Sequence, residues 1–87
     1  MSTFRATSEL IAWIGLRRVH DGGVGCVAGC WVQHGRRVPC YLPAALEELT
    51  EAGLIALEDG PHGPLARASL TENGRARYTA LLGRYLP

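Results

Sequence analysis

Four side chains able to hold a metal or do thiol chemistry cluster in the first half of the sequence, as Cys26-x3-Cys30-x3-His34-x5-Cys40. All four are zinc-compatible ligands. Their positions are all even, so a single extended chain would turn them to one side. The spacing departs from the usual structural pattern of two short knuckles separated by a longer spacer, because only the first pair resembles a knuckle. Free cysteine is among the most buried residue types, and three cysteines do not suit a closed disulfide framework. The thiols are therefore read as buried or inert, and no metal and no cofactor is expected. A cysteine nucleophile paired with His34 would lack an acid partner and an oxyanion site. The chain also lacks a paired carboxylate, a phosphate loop or a triad, so it is not expected to be an enzyme.

A second group of residues suits anions. All nine basic residues are arginine, set against eight acidic residues for a net charge of +1. That balance does not by itself mark a partner, although clustering can still create a local field. Arg36 and Arg37 follow His34 and Gly35. With Tyr41 they lie just ahead of a helix N-terminus, which itself attracts anions. His62 and Arg67 form a further pair around a proline- and glycine-rich turn. Arg17, Arg18, Arg75, Arg77 and Arg84 are read as helix-end charges and solvated helix faces.

The elements that position these groups follow from length and pattern. Eighty-seven residues allow one domain, residues 1–87, and exclude a doubly wound nucleotide-binding fold or an eight-unit barrel. No apolar run approaches the ~20 residues needed to span a bilayer, and no leader pattern precedes the domain. The expected setting is cytoplasmic, away from membranes. Residues 7–20 predict a helix capped by Thr7 or Ser8, with Leu10, Trp13, Ile14 and Arg17 at helical spacing, ended by Asp21-Gly22-Gly23. The glycines at 22, 23, 25, 29 and 35 disfavour a helix next. A hairpin is expected there, with Cys30–Gln33 and Val38–Tyr41 as arms and residues 34–37 as its loop. Residues 42–53 predict the clearest helix, with Pro43 in the first turn, an apolar stripe of Leu42, Ala45, Leu46 and Leu49, and Gly53 as a left-handed stop. Strands at Leu54–Glu58 and Leu65–Leu70 flank the turn at 59–64, with Ala66, Ala68 and Leu70 facing the core. Thr71 caps a last helix striped by Tyr78, Leu81, Leu82 and Tyr85.

Two blocks in this order, Leu46-Glu-Glu-Leu49-Thr-Glu-Ala-Gly53-Leu54-Ile55 and Leu70-Thr71-Glu-Asn-Gly74-Arg-Ala, resemble the winged helix-turn-helix superfamily, most closely the MarR-like and PadR-like bacterial regulators. The resemblance covers residues 42–82. It implies an α+β winged-helix domain that binds double-stranded DNA as a transcription regulator, with His62 and Arg67 as wing contacts that add to Arg36, Arg37 and Tyr41 ahead of the helix. It also implies a homodimer through the terminal helices, whose two apolar stripes exceed what one small core covers. The sequence departs from the family in two places. The glycine-rich 22–35 segment occupies the position of the family's second helix, and Ala44, Glu47, Glu48 and Glu51 stand where PadR-like proteins commonly carry basic residues. The acidic face supports a rival expectation, a winged-helix interaction module for a basic protein partner.

Overall fold

In the computed structural model, which describes residues 9–60, 63 and 65–85, three helices and five strands form one α+β unit. Helix α1 (Glu9–Asp21) leads into strands β1 (Val24–Val27), β2 (Cys30–Gln33) and β3 (Arg36–Arg37). Helix α2 (Leu42–Glu51) precedes β4 (Ile55–Asp59), β5 (Leu65–Leu70) and α3 (Glu72–Tyr85). The strands make a single antiparallel sheet in the order β3-β2-β1-β5-β4. The proposed caps Thr7 and Ser8 lie outside the described residues.

The segment after α1 is a three-stranded meander rather than the expected hairpin. Its turns are Ala28-Gly29, with φ of 50° and 79°, and His34-Gly35, with φ of 52° and 79°. Positive φ at both central residues is the signature of the tight two-residue turn whose twist matches the flanking strands. Arg36 and Arg37 are therefore in an edge strand, not in a loop. Residues 38–41, expected as a strand arm, are a connection instead. Pro39 has no N–H to give to a ladder, and its carbonyl accepts the Leu42 N–H at 2.9 Å, starting α2.

The helices cover one face of the sheet. Leu16, Leu42, Leu46, Leu49 and Ile55 are fully buried and are joined by Trp13, Val24, Trp31, Val38 and Leu54. Gly15 lets α1 lie against α2, since a side chain there would meet Leu49 Cδ1 at 3.0 Å. In β5 the residues facing the core are Ala66, Ala68 and Leu70, as the alternation requires. Trp13 stacks on both Tyr78 and Tyr85, at centroid distances of 5.2 and 5.9 Å. The two terminal stripes thus meet each other inside one chain.

The two sequence blocks that carry the family resemblance also meet. Gly53 has φ of 78°, the left-handed stop expected there. Thr71 Oγ1 donates to the Gly53 carbonyl at 2.6 Å and accepts the Gly74 N–H at 3.0 Å. One hydroxyl therefore caps α3 and ties it to the end of α2. A side chain at Gly74 would run into the Leu54 carbonyl, so only glycine allows this approach.

Two further ties close the fold. Arg18 donates to Gln33 Oε1 at 2.9 Å, and Gln33 Nε2 donates to the Gly22 carbonyl at 3.2 Å, pinning the end of α1 to β2. Glu9 pairs with Arg84 and accepts the Tyr85 hydroxyl at 2.9 Å. The hydrogen bond from Arg84, then that from Tyr85, holds the Glu9 carboxyl below its usual range. The same Glu9 contacts raise Arg84 and Tyr85.

Candidate nucleic-acid interface

The register of the sheet decides which arginines can act together. Arg37 is opposite Val32, Val32 is opposite Gly25, Gly25 is opposite Arg67, and Arg67 is opposite Glu58. These five residues form one row across all five strands, on the face turned away from the helices. Arg37 and Arg67 are three inter-strand spacings apart, about 14 Å between Cα atoms. The next row on this face holds Cys30, Val27 and Leu65. Apart from Glu58, these residues line a concavity of about 740 Å³ together with His34. Leu65 crosses Gly25, where a side chain would meet Leu65 Cδ1 at 2.7 Å. A glycine inside a strand often marks such a close approach, and here it sets the depth of the hollow.

The five expected contact residues do not form one patch. Arg37 and Arg67 share the open face. Arg36 pairs with Gln33, which faces α1, so neighbouring arginines leave β3 on opposite sides. Tyr41 is at the N-terminus of α2, 47% exposed, and its side chain does not cap the helix. It is not among the residues that line the sheet face with Arg37 and Arg67. His62 lies outside the described residues. Arg36, Arg37 and Arg67 are all exposed, and none makes a side-chain hydrogen bond or ion pair among the described residues. Arg67 has Glu58 as its cross-strand neighbour but is not ion-paired to it. Arg18, by contrast, is committed to Gln33.

The cysteine and histidine quartet is dispersed by the first tight turn. Across it, Val27 is opposite Cys30 and Cys26 is opposite Trp31, so even positions of β1 share a face with odd positions of β2. Cys26 packs toward the core, Cys30 and His34 line the open face, and Cys40 is in the connection before α2. Cys26 and Cys30 are half-buried, while Cys40 is exposed. Among the described residues no three His, Cys, Asp or Glu side chains are grouped to hold a metal. His34 instead lays its ring over Gly23, and its N–H bonds to the Gly23 carbonyl at 3.0 Å.

The sequence singles out Arg37 and Arg67 but not their shared face or the apolar floor between them. Val27, Cys30, Val32 and Leu65 were visible as strand formers, and only the register shows that they share the face with Arg37 and Arg67. The exposed side of α2 carries Ala44, Glu47 and Glu51, with no basic residue in its last turn. No helix among the described residues is long and apolar enough to cross a membrane. No family model, no curated protein and no solved structure matches the chain.

Proposed function

We propose that the chain is a double-stranded-DNA-binding domain of winged-helix type, a transcription regulator that performs no catalysis. The observation that carries this reading is the pair of arginines, Arg37 and Arg67, unpaired among the described residues and set in one row on the sheet face that no described helix covers. Arginine stems hold their charge clear of the backbone and suit phosphate contacts. The contact between Gly53-Leu54 and Thr71-Gly74 supports the family resemblance, since it joins a helix, a two-stranded wing and a closing helix through the residues of both blocks. The β1–β2 hairpin is a departure, standing where the family has a helix. The test is a binding titration on random duplex DNA at several salt concentrations. Wild-type affinity is expected to fall steeply with salt, and Arg37→Ala/Arg67→Ala to lower the log–log slope by about two. A wild-type protein that ignores duplex DNA at low salt would sink the proposal.

The acidic side of α2 favours a second reading, an interaction module for a basic protein partner. Glu47→Lys/Glu51→Lys separates the two. It abolishes capture of a basic partner and leaves DNA binding in place or strengthens it.

A further inference from the structure

We infer that the DNA-contacting surface is the open sheet face, and that it takes the minor groove of the duplex instead of sending α2 into the major groove. The inference rests on the DNA-binding proposal and specifies its geometry.

Three properties of the concavity lead there. Its floor is apolar, made of Gly25, Val27, Cys30, Val32 and Leu65. A water-facing side of an antiparallel sheet ordinarily alternates to polar residues, and here the floor of the hollow departs from that alternation. Next, Arg37 and Arg67 flank the floor about 14 Å apart, wide enough to straddle a minor groove of about 6 Å and reach phosphates on both walls. The sugar edges that form those walls offer apolar surface to short aliphatic side chains, and sheets and apolar residues do enter the minor groove in this way. Finally, the lining contains His34 as its one ring and no Asn or Gln. A single imidazole at this face is a poor platform for stacking successive bases of a single strand. It also lacks the amide side chains that read adenine edges in the major groove.

The charge pattern agrees. The exposed side of α2 presents Glu47 and Glu51 to solvent, and their repulsion from phosphate keeps that helix out of a groove. On the sheet face the acidic group is Glu58, at the β4 edge of the row, which confines the positive field to the β3–β5 span. A face with these groups binds by backbone charge and groove shape, with a preference for narrow A·T-rich grooves that attract arginine.

The experiment is fluorescence anisotropy with a labelled duplex of about 20 base pairs containing an A·T-rich centre. One sample is pre-filled with a netropsin-type minor-groove ligand, and another carries glucosylated hydroxymethylcytosine, which fills the major groove. Minor-groove filling is expected to weaken binding by about tenfold or more, and major-groove filling to change it by less than about twofold. The opposite pattern overturns the inference and leaves the DNA-binding proposal standing. Absence of binding to every duplex overturns both. Leu65→Asp, at a residue 36% exposed, is expected to remove most binding while far-UV circular dichroism and the thermal midpoint stay unchanged. Val32→Asp provides a second carboxylate on the same floor. Unchanged affinity in both folded variants counts against the sheet face. Glu47→Lys/Glu51→Lys is expected to keep the same sensitivity to the minor-groove ligand. A switch to major-groove sensitivity in that variant would show that α2 carries the contact.

Discussion

Trp31 and Val32 are neighbours in β2 and go to opposite sides of the sheet. Trp31 is buried beneath the helices, 5% exposed, and Val32 lines the open concavity between Arg37 and Gly25. The covered face gathers Val24, Trp31, Ile55 and Leu70 against α1, α2 and α3. The open face gathers Val27, Val32 and Leu65 beside Arg37, Arg67 and His34, and no described helix covers it. Both faces use aliphatic residues, so apolarity alone does not say which one makes the core. The difference lies in what closes over them. One face is satisfied within the chain and supplies stability, while the other is the face on which DNA binding is proposed. In a chain of this size that division matters, because a small domain has little apolar surface to spare from its core.

The division can be broken by substitution, taking the largest effect first. Trp31→Ala should cost about 3–5 kcal/mol in urea unfolding, whereas Val32→Ser, one residue away, should cost less than about 1.5 kcal/mol. Equal losses would mean that the open face also belongs to the core. Next comes the joint that holds the helices over the covered face. Gly74→Val should cost about 1–3 kcal/mol by forcing α3 off the Leu54 carbonyl, and Thr71→Ala about 1 kcal/mol through loss of the cap. Thermal midpoints of the two variants check the order. The open face should behave differently, with Arg37→Ala/Arg67→Ala staying within about 0.5 kcal/mol of wild-type stability while DNA affinity drops. A large stability loss there would show that these arginines are structural.

The smallest effect concerns the tie between α1 and α3. Glu9 is held below its usual range in the folded protein, so its contribution is present above the unfolded value of 4.5 and is lost as pH falls through the lower folded value. Tyr85 is raised above 10.0, so its contribution is present below that value and is lost as pH rises through the higher folded value. Glu9→Gln should therefore lower the thermal midpoint slightly at neutral pH and match wild type at about pH 2. A constant gap at both pH values would contradict the assignment to Glu9. Light scattering completes the set. The homodimer expected from the terminal stripes must now be built on what remains outside the Trp13–Tyr78–Tyr85 stack, chiefly Leu10, which is 49% exposed.

Much of the fold was legible because local and long-range signals coincide in the second half of the chain. The stripe of Leu42, Ala45, Leu46 and Leu49, the stop at Gly53, the alternation through Leu65–Leu70 and the cap at Thr71 each have one physical meaning, and each appears where expected. The meander was less legible. Its turns use Ala-Gly and His-Gly where Asn-Gly or Asp-Gly is the usual mark, so Val38–Tyr41 looked like the better strand. Once the turns shift, every residue of β2 and β3 has a different neighbour. That is why Arg36 and Arg37 separate and why the cysteine and histidine quartet disperses. A one-residue change of register exchanges the faces of a strand, and composition cannot detect it. The Gln33 clamp on Arg18 and Gly22 had no sequence signal, because a single glutamine after a strand is ordinarily solvated.

The contact of Glu9 with Arg84 and Tyr85 also has a topological consequence. It sets the start of α1 beside the end of α3, so the path of the described chain is nearly a closed ring. A short glycine–serine linker between these two points would bridge little distance, and the backbone could then be cut at the exposed Ala28-Gly29 turn. Such a circular permutant would keep the helix contacts and the sheet order while converting the β1–β2 hairpin into the new chain ends. The same cut would leave the row from Arg37 to Arg67 intact but untether its two middle strands from one another. Circular permutation thus offers a way to loosen the open face without changing a single side chain on it.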